Sequence, residues 1–308
     1  MEENVLVIKH GALGDFVMAS GRMRTVRRRH PNAHIALVTE KFLVGLAQSM
    51  GYFDEIVEDS RGYNVGTWWK IIKRTIADRK WDAIYDLQSS NRTLCRYYPL
   101  ALAATGNAMR WGRLVKGGLE FRVNTRKPRF LPWFWRNVRE DVEWLPCDLS
   151  MCHGRHENFG LLPERYALLV PGCSVGNERK RWPSDRFREL TRVLAQRGLK
   201  SVVLGTKAEK TEIEAICRDN PDAVDFLGKS EIADIPDLAN GAAVVVGNDT
   251  GPSHIAHIAG ARVVLLFTDH DYGRAAPKGR ANVVSLHGPA IDDISFDAVT
   301  AAIGKVMK

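Results

Sequence analysis

No apolar run in this sequence approaches the ~20 residues that a membrane-spanning helix needs. The longest uncharged runs, such as Ala242–Gly247 and Val263–Phe267, are far shorter. The N-terminus lacks a basic leader, an apolar core and a cleavage site, since Met1-Glu-Glu-Asn runs directly into the strand-like Val5–Ile8; a cytoplasmic protein is expected. Cysteine is scarce and unpaired. The five cysteines (Cys95, Cys147, Cys152, Cys173, Cys217) are odd in number, scattered and without a C-x-x-C pair, so neither a disulfide framework nor a zinc cage is indicated and reduced thiols are expected. There is no low-complexity tract and no repeat with a period of about 20–50 residues, which sets solenoids aside. What is present is 308 residues with 45% apolar and 26% charged positions, enough for one large or two ordinary globular cores.

The net charge of +8 is unevenly placed: residues 1–150 hold 24 Lys and Arg against 16 Asp and Glu, and residues 151–308 hold 20 against 20. The excess is densest from Arg110 to Arg139, where Arg110, Arg113, Lys116, Arg122, Arg126, Lys127, Arg129, Arg136 and Arg139 meet one acid, Glu120. Such a half suits a polyanion or an anionic surface. A solvated loop with arginine stems lying over apolar surface is the plainer reading.

Val5-Leu-Val-Ile8 is a continuous apolar run ended by glycines, as in a strand buried on both faces of a parallel sheet. Helix to about Arg29, strand Ile35–Val38, helix Phe42–Met50, strand Glu55–Val57, helix Thr67–Arg79 and strand Ala83–Leu87 follow. The rhythm fades across 110–150, where Pro128, Pro132 and Pro146 interrupt the chain. It resumes at Tyr166–Val170 and continues through strands at Ser201–Leu204, Asp225–Leu227, Ala243–Val246 and Arg262–Phe267 to a final helix, Phe296–Met307. Strand and helix alternation of this kind predicts doubly wound parallel sheets. Two Rossmann-like α/β domains are expected, residues 1–155 and 156–308, with ligands outside the carboxyl ends of the strands in a cleft between them.

Three segments carry chemistry. Lys9-His-Gly-Ala-Leu-Gly-Asp15 follows the first strand, and its glycines Gly11 and Gly14 let backbone approach a ligand. Asp15 reads either as a helix N-cap or as a general base at the cleft. The loop is not G-x-G-x-x-G and no acid about 20 residues on would hold a ribose, which argues against a dinucleotide. Val170-Pro-Gly-Cys-Ser-Val-Gly176 opens the second domain and leads to Lys180, a point charge for phosphate or a surface lysine. Val246-Gly-Asn-Asp-Thr-Gly-Pro-Ser-His254 is the strongest signal: Asp249 or Thr250 can cap a helix, Pro252 suits its first turn, and Gly251 admits a diphosphate to backbone N–H groups. His254 and His257 are spaced i, i+3, but no third metal ligand is in view.

Taken together, Gly11-x-x-Gly14-Asp15, Lys180-x-Trp182-Pro183, Gly205 with Glu209, and Asn248-Asp-Thr-Gly-Pro-x-His254 resemble glycosyltransferase family 9, the heptosyltransferases of lipopolysaccharide core synthesis. The resemblance spans both domains and implies the GT-B fold, with a final helix that can pack back on the first domain. It implies transfer of a heptose from ADP-heptose to a Kdo- or heptose-bearing lipid A acceptor, with inversion and without a metal or cofactor. By the same resemblance Asp15 is the base, Lys180 binds phosphate, and Glu209, Asp249, Thr250, Gly251 and His254 hold the donor. Arg110, Arg113, Arg122, Lys127 and Arg129 would then face the anionic acceptor or the inner face of the cytoplasmic membrane. Other nucleotide-sugar enzymes of this architecture, with a different donor or acceptor or a 2-epimerase activity, are the alternative. A nucleic-acid-binding reading of the basic segment leaves the Asp-Thr-Gly-Pro-x-His element unexplained, so no nucleic-acid partner is expected.

Overall fold

The computed structural model describes residues 3–59, 79–90, 93, 97, 110–115, 118–124, 135–154, 156–174 and 176–308. The helix expected at 67–79 lies outside them except for its last residue, and Cys95, Lys127 and Arg129 lie outside them entirely. The chain forms two compact units, Met1–Cys147 and Asp148–Lys308.

The first unit begins β1 (Asn4–Ile8), α1 (Leu13–Val17), α2 (Ser20–Arg29), β2 (His34–Thr39), α3 (Val44–Ser49), β3 (Glu55–Glu58) and β4 (Ala83–Asp86). β5 (Arg110–Val115), β6 (Gly118–Asn124) and β7 (Trp135–Asp141) complete its sheet, in the order β3-β2-β1-β4-β5-β6-β7. Val5, Leu6, Val7 and Ile8 are wholly buried, as expected of a strand flanked on both sides, here by β2 and β4 in parallel register. β1 to β5 run parallel, whereas β5–β6 and β6–β7 pair antiparallel.

That antiparallel edge accounts for the fading of the strand–helix rhythm across 110–150. Only two residues separate β5 from β6, far short of the dozen or so that a parallel crossover requires, so the strands must double back. Pro128 and Pro132 fall between β6 and β7, and Pro146 falls after β7, so the prolines delimit strands instead of breaking them. Arg110 and Arg113 therefore stand on β5 and Arg122 on β6, not in the solvated loop of the plainer reading.

The second unit is a regular alternation: β8 (Tyr166–Val170), α4 (Ser184–Gln196), β9 (Lys200–Gly205), α5 (Lys210–Cys217), β10 (Ala223–Leu227) and α6 (Ile235–Gly241). β11 (Val244–Asn248), α7 (Gly251–Ala259), β12 (Val263–Thr268), α8 (Asp269–Ala275), β13 (Val283–Gly288) and α9 (Phe296–Val306) follow. All six strands are parallel, in the order β10-β9-β8-β11-β12-β13. The direction of winding reverses between β8 and β11, and such a switch point opens a crevice at the strands' carboxyl ends. The core joins strand residues such as Leu169, Val203, Val246 and Leu266 to Phe187, Leu190 and Leu194 of α4. Trp182 is buried with them, its ring 5.1 Å from Phe187 and its indole N–H donating to the Ile294 carbonyl at 2.9 Å. α9 is capped by Ser295 and buries Val299, Ala302, Ile303 and Val306 in this same core. Its apolar face is thus committed to the core of its own unit.

Candidate functional site

At the switch point of the first sheet, between β1 and β4, the chain leaves β1 as Lys9–Asp15. Each early residue of this loop is tied down by a neighbouring strand end. Lys9 Nζ donates to Gln88 Oε1 at 3.0 Å, and the His10 backbone N–H to the same oxygen at 3.2 Å. His10 Nε2 lies 3.1 Å from Asp59 Oδ2 and 3.0 Å from the Tyr97 hydroxyl, which itself donates to Asp59. The Gly11 N–H donates to Glu40 Oε1 at 3.3 Å. A Cβ on Gly11 would meet only ordinary contacts, the nearest 3.6 Å away, so the protein's own packing does not call for glycine there. Gly14 lies within α1.

Asp15 is the third residue of α1 and is exposed. Ala12 holds the N-cap position and no side chain caps that helix. The N-cap reading of Asp15 is therefore wrong: its carboxylate stands in the first turn, turned to solvent beyond the end of β1.

In the second unit Asn248, at the tip of β11, fastens three segments. Its Nδ2 donates to the Pro171 carbonyl at 2.7 Å, and its Oδ1 accepts the Trp182 backbone N–H at 3.1 Å. This holds the loop after β8 and the Lys180–Trp182 segment against the end of β11. Gly247 admits α7 to close range, because a Cβ there would overlap Ser253 Oγ and stand 2.8 Å from the Val170 Cβ. Thr250 occupies the N-cap of α7 in extended conformation, with Gly251 and Pro252 next, and no side chain caps this end either. An uncapped helix N-terminus presents N–H groups and a positive dipole to an anion.

Lys180 sits in front of it. Its side chain is 12% exposed, which removes the surface-lysine alternative. Nζ donates to Asp249 Oδ2 at 2.6 Å and lies 3.2 Å from Asp271 Oδ2. Asp249, 8% exposed, takes His254 Nε2 on its other oxygen at 2.9 Å. Burial drives the Asp249 carboxyl upward, but hydrogen bonds from His254 and Lys180 and the charge of the lysine outweigh it and hold the group below the usual carboxylate range. Asp271 is 1% exposed; it accepts from Thr268 Oγ1 at 3.0 Å and Arg274 at 3.1 Å, with Arg179 3.6 Å away. Its burial is likewise overcome by bonds from Lys180 and Thr268, which keep its pKa at about 2. Three cations (Lys180, Arg179, Arg274) thus gather on two carboxylates, leaving one positive charge in surplus beside the helix N-terminus, a balance that suits an anion.

Glu209, expected to hold the donor, also has a structural task. Its Oε2 accepts the Thr206 backbone N–H at 2.8 Å and the Thr206 hydroxyl at 2.5 Å, closing a capping box before α5. The side chain also abuts the loop after β8, since a Cβ on Gly172 would overlap its Cγ. His254 and His257 bond to each other at 3.3 Å, and among the described residues no group of three or more His, Cys, Asp or Glu could hold a metal. Cys173 is buried in the loop after β8, and burial raises its thiol pKa, so it is an inert filler. Sequence reasoning missed Asp271, Arg274 and the fastening role of Asn248. The available signal was an acidic pair, Asp269 and Asp271, directly after the buried run of β12.

Two α/β domains, each with a winding-reversal loop, one bearing an exposed carboxylate and the other a lysine held by carboxylates at a helix N-terminus, are the arrangement that the resemblance to the GT-B glycosyltransferases implies. The model of glycosyltransferase family 9 (heptosyltransferase) matches residues 140–296, and the chain belongs to that family. It is 22% identical over 316 residues to the lipopolysaccharide core heptosyltransferase OpsX of Haemophilus influenzae, covering 92% of this chain and 85% of that protein. Its fold matches the E. coli ADP-heptose lipopolysaccharide heptosyltransferase II, with a TM-score of 0.73 at 17% identity over 100% of this chain and 98% of that one. It also matches the E. coli heptosyltransferase WaaC solved with ADP, with a TM-score of 0.72 at 14% identity over 98% of this chain and 99% of that one.

Proposed function

We propose that this glycosyltransferase moves a heptose from ADP-heptose to an anionic, lipid-linked lipopolysaccharide core acceptor, with inversion at the anomeric carbon and without a metal or cofactor. The observation that carries the reading is the Lys180–Asp249–His254 cluster before the uncapped N-terminus of α7. A diphosphate bound there accepts from the helix N–H groups and from Lys180. Thr250 and Gly251 let it come close, and Asp249 and His254 hold the lysine. In this reading Glu209, which abuts Gly172 in the loop after β8, contacts the nucleoside. Relatives that carry the name lipopolysaccharide heptosyltransferase, one of them solved with ADP, support the choice of donor and acceptor.

Transfer is one displacement. Asp15 takes the proton of the acceptor hydroxyl as that oxygen attacks the anomeric carbon, the bond to the diphosphate breaks, and ADP leaves. Charge grows on the departing phosphate oxygen, where the cations and the dipole of α7 stabilise it more in the transition state than in the ground state. The protein supplies that stabilisation itself, so no divalent ion is required. The basic excess of the first 150 residues suits an acceptor carrying carboxylates and phosphates at the inner face of the cytoplasmic membrane. Among the described residues no helix is long and apolar enough to cross a membrane, in keeping with peripheral attachment.

The test is ADP release from ADP-heptose in EDTA, with and without acceptor. Acceptor-dependent release that survives EDTA supports the reading; release of free sugar without acceptor would favour a 2-epimerase-like activity, and an absolute metal requirement would overturn the mechanism.

A further inference from the structure

Helix α7 carries two buried histidines one turn apart, His254 at 5% and His257 at 3% exposure. The first reaches the site and the second reaches only the first: His254 Nε2 lies 2.9 Å from Asp249 Oδ1, and His254 Nδ1 lies 3.3 Å from His257 Nε2. The rings meet edge to face, their centroids 5.5 Å apart. An ionised carboxylate can only accept, so His254 must carry its hydrogen on Nε2. Its remaining state is then decided at Nδ1, the atom that faces His257.

His257 has one ring hydrogen to place. Burial, with the charge of Arg280 in the same direction, lowers its pKa to about 3, so it is neutral at physiological pH. On Nδ1 the hydrogen would be a buried donor without an acceptor, because that atom has no partner. On Nε2 it points at His254 Nδ1 and is used. Orphaned buried N–H groups are rarer than under-used acceptors, so the Nε2–H form is favoured, and it requires a bare lone pair on His254 Nδ1. The charged groups around the pair are Asp249, Lys180 behind it, and Arg280, which donates to the His257 carbonyl at 2.7 Å; from β12 it is the Phe267 ring that faces His254.

We propose that His257 is a positioning residue that donates to His254 Nδ1, holds His254 as the neutral Nε2–H tautomer, and so fixes Asp249 with its second oxygen turned to Lys180. The inference rests on the reading of Lys180 and Asp249 as donor-binding. Beyond that reading, it explains why a histidine with no route to the ligand lies buried behind a site residue.

The test combines 15N–1H spectra of the histidine rings at neutral pH with ADP titrations of the wild type, His257→Leu and His257→Gln. In the wild type, His254 and His257 both show one hydrogen, on Nε2. Losing a single neutral hydrogen bond at this site should weaken ADP binding about three- to tenfold in His257→Leu, with kcat at saturating donor unchanged. His257→Gln, whose amide can donate to the same atom, recovers most of the affinity. A wild-type His254 with its hydrogen on Nδ1 or on both nitrogens overturns the proposal, even where the leucine variant fails to fold. So does a folded His257→Leu with wild-type ADP affinity and tautomer. Lys180→Ala in the same titration separates the two questions: undiminished ADP binding there would remove the donor-site reading, while the spectra still judge His257.

Discussion

Replacing Lys180 by alanine removes the cation on which both carboxylates of the second unit converge. Neither carboxylate is left bare. Asp249 keeps His254 at 2.9 Å, and Asp271 keeps Thr268 at 3.0 Å and Arg274 at 3.1 Å. The stability cost should therefore fall below the ~3–5 kcal/mol of a buried pair stripped of one partner, nearer the ~1.5–3 kcal/mol of a charge-assisted hydrogen bond. For a domain of this size that lowers the midpoint of thermal unfolding by roughly 3–10 °C. The effect on ligand binding has two parts. The free protein loses contacts that the lysine must partly exchange for phosphate, and the site falls from three cations on two carboxylates to two on two. A net loss of about 1.4–2.8 kcal/mol, or ten- to a hundredfold in ADP affinity, follows. Isothermal calorimetry with ADP, on variant protein shown to be folded by its melting curve, reads it directly. ADP binding within twofold of wild type would refute the assignment of this cluster to the diphosphate.

Two further outcomes follow from the same geometry and charge. Asp271 at about 2 and the lowered Asp249 are depressed relative to an unfolded carboxylate near ~3.9, so their stabilisation is complete above that value and is lost as pH falls through it toward about 2. Urea midpoints taken from pH 6 down to pH 3 should show this acid loss reduced in Asp271→Asn; an identical slope in both proteins would contradict it. For the basic first unit, changing Arg122, Lys127 and Arg129 together to serine should raise the acceptor KM and weaken co-sedimentation with anionic vesicles, more so at low salt, with ADP affinity unchanged. If neither quantity moves, the charge has no role at a membrane or acceptor.

The parts of this protein that could be read from its sequence are those where one physical demand dominates. β1, β2, β8, β11 and β12 are buried on both faces, and only an unbroken apolar run satisfies that. β5 to β7 carry mixed charged and apolar residues and pair antiparallel, so their signal lies in strand pairing, which no local pattern records. The site divides in the same way. Lys180, Asp249 and His254 stand in segments whose glycines and proline announce a special backbone. Asp271 lies on another strand end, and its function comes only from the lysine and arginines that folding brings to it. Glu209 shows the reverse: the resemblance gave it a donor contact, and the capping box that one of its oxygens closes was not read from the sequence. Of the two readings of Asp15, the structure removes the cap, since Ala12 holds that position.

The central claim is tested most directly by the mass and anomeric configuration of the acceptor after incubation with ADP-heptose, for the wild type and Asp15→Asn side by side. The account predicts that the wild-type product gains one heptose with inverted configuration. In Asp15→Asn the rate should fall by on the order of 10²–10⁴ while ADP affinity stays near wild type, as for loss of a general base. An unmodified acceptor with the wild type, a retained configuration, or an Asp15→Asn variant turning over at the wild-type rate would contradict it.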